Sequence, residues 1–319
     1  MLYVAKFVIL QKNRQHLLFG MQSRSIIFFN LRNMDNNQDK NTLPDGIKPD
    51  VLSYDDIRRM VPFFDGKPKL VNFIMRLFAI DKVNYLHRHN CATPGAPFVA
   101  GLLRDLDIKL RIDNEAQLDN LPEGAFVTVS NHTFGALDGI ILIHMLASRR
   151  PEFKVMVNMV LNYITAMRPN FIAVDALASD DPAKRAVSTK GIREAMMQVR
   201  SGKPLGFFPA GAVSKLNGKL QLEDREWQPS IIRLIKQFKV PVVPIYFHGS
   251  NSLWFNILGK ISWQLRTLRL PAEVFRKKGA TFHISVGDII SPEELAKHES
   301  IEELGQFLKD KTYSMRKWK

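Results

Sequence analysis

Ala125-Phe126-Val127-Thr128-Val129, then Ser130-Asn131-His132-Thr133-Phe134-Gly135-Ala136-Leu137-Asp138, then an apolar run to Ser148: this stretch decides the fold. The first five residues form a short apolar run rich in β-branched and aromatic side chains, a strand that is buried on both faces. The residues from about Asp138 to Ser148 are apolar and of helix length. A buried strand that opens through a polar loop into a helix is the building unit of α/β sheets. The loop at such a strand's end is where those sheets gather their active sites.

Outward from this unit the pattern repeats. Lys154–Val157, Phe171–Val174, Leu205–Pro209, Pro241–Phe247 and Thr281–Val286 read as further strands. Asp181 with Pro182 is an N-cap and first-turn pair for a helix that Ser201-Gly202 stops near Arg200. Pro229–Lys239 is a helix, and Ser291/Glu294 and Ser300/Glu303 are capping boxes that open two closing helices. The alternation predicts an α/β fold: a mixed central sheet flanked by helices. Toward the amino end, residues 51–106 read as a small helical element, opened by a capping box at Ser53/Asp56 and broken at Pro94-Gly95-Ala96-Pro97. Residues 1–50 read as a basic, poorly packed tail and a polar linker. Their first 33 residues hold five basic residues and no acidic one, so a membrane-binding arm and an upstream extension before a start at Met34 both fit.

The bulk numbers bound the function. The 319 residues, 45% hydrophobic and 24% charged, suit one large domain plus a small appended one. The lone Cys91 excludes an intramolecular disulfide, and a cytoplasmic setting is the default expectation. A net charge of +14 attracts polyanions. No basic recognition helix or zinc spacing points to nucleic acid. Anionic lipid surfaces and phosphate-bearing acyl carriers remain. No apolar run reaches the roughly 18–20 residues needed to span a bilayer.

The chemistry sits in the opening stretch. On one regular helix, side chains six apart point about 240° away from each other. His132 and Asp138 meet only if the residues between them turn, and Gly135 supplies the backbone for that. Asp138 then lies in the first helical turn and reaches back to one imidazole nitrogen, which leaves the other free as a base. Read alone, the pair is equally well a buried histidine beside an aspartate favoured by the helix dipole.

The pair does not stand alone. Asn131-His132 with Asp138, Pro169-Asn170-Phe171-Ile172-Ala173-Val174-Asp175, Phe207-Phe208-Pro209-Ala210-Gly211-Ala212-Val213-Ser214-Lys215, and Val240-Pro241-Val242-Val243-Pro244-Ile245 follow in order. In these four blocks the sequence resembles the glycerolipid (lysophospholipid-type) acyltransferase superfamily. That family usually has four residues between His and Asp, whereas this chain has five. The longer spacing resembles a branch labelled haemolysin-like, which includes acyltransferases of ornithine and glycine lipids. The resemblance makes residues 107–319 the acyltransferase domain, with His132 the general base and Asp138 its orienting acid. It implies direct transfer from the thioester of acyl carrier protein or coenzyme A, with no cofactor and no acyl-enzyme. It also implies a substrate-binding set of Asn131, Gly135, Arg168, Pro209, Gly211, Ala212, Ser214 and Lys215, in which amides around Gly211-Ala212 are candidate oxyanion donors.

Two departures bear on the acceptor. Ala210 and Val213 stand where the third block usually has Glu and Arg, and the second block lacks its arginine. A phosphomonoester without a forked guanidinium would be poorly held. The expected acceptor is therefore a lyso amino-acid lipid, its carboxylate within reach of Lys215 or Arg168. A lysophosphatidate or glycerol 3-phosphate acceptor is the alternative, and a non-catalytic membrane-binding (haemolysin-like) protein is the reading of another class.

Residues 252–270 place Trp254, Leu258, Ile261 and Leu265 at helical spacing beside Arg266 and Arg269. This reads as one interfacial helix on anionic lipid, so the enzyme is expected at the cytoplasmic face of the inner membrane, peripherally bound. The same stripe also reads as a helix packed on the domain. His87-x-His89-x-Cys91 resembles a soft-metal cluster but lacks a second ligand group, and no metal is expected. His144, Asp175 and His248 are placed either at the pocket or in local structure.

Overall fold

A computed structural model describes residues 43–174, 182–217 and 221–316. Four helices lead the described chain: α1 (Tyr54–Met60), α2 (Pro68–Leu77), α3 (Ile80–Asn90) and α4 (Ala96–Asp105). Ser53 and Asp56 form a reciprocal capping box at the start of α1. The first helices bury a small cluster of Leu52, Ile57, Val61, Phe64 and Val71. Helix α4 instead packs Phe98, Val99, Leu102 and Leu103 into the main core.

The remaining chain runs β1 (Lys109–Asp113), β2 (Val127–Ser130), α5 (Ala136–Ala147), β3 (Lys154–Asn158), β4 (Phe171–Val174), α6 (Pro182–Arg200) and β5 (Leu205–Phe207). A two-stranded hairpin follows, β6 (Lys215–Leu216) and β7 (Leu222–Glu223), then α7 (Pro229–Phe238) and β8 (Val242–Phe247). Three short helices, α8 (Leu253–Ile261), α9 (Trp263–Leu268) and α10 (Leu270–Arg276), precede β9 (Thr281–Val286), α11 (Pro292–Ala296) and α12 (Ile301–Tyr313).

Seven strands form one sheet in the order β1-β9-β8-β2-β5-β3-β4. All neighbours are parallel except β8 and β9, so the sheet is mixed, as the sequence predicts. Strand β2 is the middle strand. Val127 is in register with Leu205 of β5 on one side and Val242 of β8 on the other. All four of its residues are buried. Val127 and Val129 pack with Ala195 and Val199 of α6 and Leu304 and Leu308 of α12, while Phe126 joins the α4–α5 side. Each such fully buried side chain contributes about 1.5–3 kcal/mol. The chain leaves β2 toward β3, β4 and β5 and later returns to its other side as β8. The carboxyl end of β2 is therefore the sheet's switch point, where α/β sheets bind ligands.

Two elements differ from expectation. The single helix over 252–270 is broken, because Ser262 has an extended backbone and caps α9 by accepting the Leu265 N–H. The strand at Leu205 ends at Phe207, two residues before Pro209, whose ring nitrogen cannot donate to a ladder. His87 and His89 lie on α3. His87 is buried with Nδ1 3.0 Å from Pro49 O, and His89 is exposed beside Tyr85 O. Asp175 and Asp181 lie outside the described residues.

Candidate active site

His132 lies two residues after the end of β2, and Asp138 occupies the first turn of α5. The turn between them rests on Gly135, whose φ of +78° suits glycine. A Cβ there would stand 2.7 Å from a Leu270 methyl, so side-chain room is absent as well. The turn brings His132 Nδ1 to 2.9 Å from Asp138 Oδ2. The backbone N–H groups of Phe134 and Gly135 donate to the same oxygen at 2.9 and 3.0 Å. Nδ1 is thus held as the donor and Nε2 has no protein partner among the described residues. The Phe208 ring lies against the imidazole at a centroid distance of 4.4 Å. His132 keeps 19% of its side chain exposed, while Asp138 is fully buried.

Burial pushes the Asp138 carboxyl pKa up from the ordinary carboxylate value; the His132 contact and the two amides pull the other way. Its Oδ1 is buried with no partner among the described residues, which sharpens the penalty on the charged form. Lys277 lies close by, with Nζ 4.9 Å from the Phe134 ring centroid and 2.6 Å from Ser250 O. Burial pushes its ammonium pKa down, and the charges of Glu273 and Asp138 oppose that. The arrangement can accept a proton at Nε2 and stabilise the resulting imidazolium through Asp138.

The other expected contacts divide. Asn131 is fully buried and spent on Phe247: its Nδ2 donates to Phe247 O at 2.9 Å and its Oδ1 accepts the Phe247 N–H at 2.7 Å. It fastens the loop to β8 and is corrected from a substrate contact to a structural clamp. Ser214 is corrected likewise, because it is fully buried and donates its N–H to His132 O at 2.7 Å and its hydroxyl to Asp224 at 2.5 Å. Arg168 precedes β4 by three residues, at the amino end of a strand parallel to the others around β2, and its Nε donates to Asn162 O. It lies away from the carboxyl ends that carry His132 and is withdrawn as an acceptor ligand.

Pro209 is buried and accepts the Gln228 N–H. Gly211 has φ +64°, and its N–H closes a turn on Phe208 O, so that amide is not an oxyanion donor. The Ala212 amide has no partner among the described residues and remains a candidate. Lys215 is exposed at the start of β6. His144 is half-buried on α5, beside a cavity of about 310 Å³ lined by Leu110, Ile112 and Arg149, apart from His132. His248 is buried with Nε2 2.8 Å from Ser285 Oγ.

On the α8–α9 face, Trp254 and Ile261 are exposed, while Leu258, Leu265 and Arg269 are half-buried. Arg266 is corrected from a lipid-facing cation: it is 5% exposed and donates to Ser214 O and Val213 O, each at 3.1 Å. Sequence reasoning missed Asp224, which accepts the His132 N–H. It lies in the charged run Glu223-Asp224-Arg225-Glu226, which carries no signal that one member turns inward.

A family model described as Acyltransferase matches residues 54–318. The chain belongs to this acyltransferase family. The enzyme is 26% identical over 254 residues to a lyso-glycine lipid O-acyltransferase of Bacteroides thetaiotaomicron, covering 77% of this chain and 89% of that one. A protein of the same name from Phocaeicola vulgatus is 25% identical over 254 residues, covering 77% and 87%. Among solved structures, the 1-acyl-sn-glycerophosphate (LPA) acyltransferase PlsC of Thermotoga maritima has 13% identity and a TM-score of 0.41 over 68% of this acyltransferase and 79% of PlsC.

Proposed function

We propose that this acyltransferase moves a fatty acyl group from an acyl thioester to the free hydroxyl of a lyso-lipid, and that the lyso-lipid carries an amino acid of the glycine or ornithine type. One observation carries the mechanism: the His132 imidazole is tied through Nδ1 to the buried Asp138 and open at Nε2. The acceptor hydroxyl attacks the thioester carbon while Nε2 takes its proton. The tetrahedral oxyanion forms within reach of the Ala212 amide. Collapse breaks the C–S bond, and the leaving thiolate takes the proton from the imidazolium, so the products are an ester and a free thiol. General-base assistance of this kind is worth about 10²–10⁴ in rate.

The acceptor class draws support from the two lyso-glycine lipid O-acyltransferases that the chain resembles. Buried Ala210 and Val213 support it too, since they offer no charge to a phosphate. The thioester donor is acyl carrier protein or coenzyme A, either of which suits a chain of charge +14. We assign the enzyme a peripheral place on the cytoplasmic face of the inner membrane. Exposed Leu253, Trp254, Ile257, Ile261 and Trp263 form an apolar face that supports this location.

The purified enzyme, given acyl carrier protein and coenzyme A thioesters with matched lyso-glycine, lyso-ornithine and lysophosphatidate acceptors, tests the reading. Preferential ester formation on the amino-acid lipids is expected. Preference for lysophosphatidate overturns the acceptor assignment and leaves the base in place.

A further inference from the structure

Asp224 is 5% exposed and belongs to no part of the mechanism above. It comes directly after the β6–β7 hairpin, yet its carboxylate reaches the loop that carries the base. Oδ1 accepts the His132 N–H at 3.1 Å and the Ser214 hydroxyl at 2.5 Å. Oδ2 accepts the Trp227 indole N–H at 3.1 Å. The backbone N–H of Asp224 donates to the Tyr313 hydroxyl at 2.8 Å, at the last turn of α12. Burial and the Asp224 charge push that phenol's pKa up, so it stays a neutral anchor.

Both backbone polar groups of His132 are therefore engaged. Its N–H goes to Asp224, and its C=O takes the Ser214 N–H at 2.7 Å. The Ser214 hydroxyl also lies 2.9 Å from His132 O, but it has one proton, and the shorter charge-assisted contact with Asp224 takes it. From the other side Arg266 holds the carbonyls of Val213 and Ser214. One residue thus joins three parts of the fold: the Asp224 carboxylate holds the His132 loop and the third-block loop, and its backbone N–H holds α12 through Tyr313.

We infer that Asp224 is a positioning residue, whose carboxylate fixes the main chain of His132 against Ser214 and so aims Nε2 at the acceptor hydroxyl. The inference rests on His132 being the base. Asp138 fixes the ring about its tautomer; Asp224 fixes the backbone from which the ring hangs. A displacement of about 1 Å in a catalytic group can cost on the order of 100-fold in rate.

The test is steady-state kinetics of Asp224→Ala and Asp224→Asn with a thioester and a lyso-glycine lipid, beside His132→Ala. Asp224→Ala is expected to lose about 30–100-fold in kcat with KM for both substrates within about twofold. Asp224→Asn retains an acceptor oxygen for the His132 N–H and recovers part of the loss. Melting temperature and circular dichroism, measured in parallel, show whether lost turnover tracks lost fold. If either variant fails to fold, Ser214→Ala and Tyr313→Phe take its place, each with about a 3–10-fold lower kcat and unchanged KM. Folded Asp224→Ala with kcat within twofold of wild type overturns the inference, as does wild-type kcat in both replacement variants. Turnover retained in His132→Ala sinks the base assignment itself, whereas an inactive His132→Ala beside a fully active Asp224→Ala sinks only the positioning role.

Discussion

Asp138 has one oxygen in three hydrogen bonds and the other, among the described residues, in none. On the proposed mechanism such a carboxylate serves catalysis against stability. Asp138→Asn keeps the shape and removes the charge that supports the imidazolium, so kcat is expected to fall about 10²–10⁴-fold. Its effect on stability has the opposite sign. The folded-state pKa of Asp138 lies above the unfolded one, so its contribution is most favourable below the unfolded pKa and is lost as pH rises through the folded pKa. Asp138→Asn has no such loss, and its stability relative to wild type is expected to grow from acid to neutral pH. Urea unfolding across that range checks it; a wild type that gains on the variant as pH rises contradicts it. The sequence made this pair legible because a glycine-bearing turn of fixed length joins a strand to a helix, both short-range features. Asn131 and Ser214 sit in motif positions, but Phe247 uses up the hydrogen bonds of the first and His132 and Asp224 those of the second, partners that the sequence does not display.

The strands from Lys154 to Val286 were readable from apolar runs between breakers, and Phe171–Val174 and Thr281–Val286 match residue for residue. Their order was not, because β8 lies between β2 and β9 through contacts more than 100 residues apart in part of the sheet. The break at Ser262 was also hidden. Serine is tolerated inside a helix and favoured at its N-cap, so spacing alone does not separate one helix from two. The break is what turns Arg266 inward, over a glycine: a Cβ on Gly259 would stand 2.7 Å from Arg266 Cδ. Two hydrogen bonds from this charged group hold the third-block loop, each worth about 1.5–3 kcal/mol. Arg266→Ala is expected to lose about 2–4 kcal/mol of unfolding free energy and to lower kcat, as read by urea titration and turnover. Unchanged stability would return Arg266 to the surface role first expected of it.

At the scale of the whole molecule, no helix of the described residues is long and apolar enough to cross a membrane. The proposed membrane location rests on the charge of +14 and the exposed α8–α9 face, both of which suit anionic lipid. Replacing Leu253, Trp254 and Ile261 together by serine is expected to reduce sedimentation with vesicles of anionic phospholipid at least tenfold, without unfolding the protein; each residue has most of its apolar surface in solvent. Binding equal to wild type would place the lipid contact elsewhere. Composition points to such a surface, but the proposed reaction rests on the switch point at β2. The most direct test of that centre is acyl transfer from a labelled acyl thioester to a lyso-glycine lipid by wild type and His132→Gln, at matched melting temperature. A loss of at least about 100-fold in kcat, with no acyl group left on the protein, is the predicted result; turnover of His132→Gln within a few-fold of wild type would contradict it.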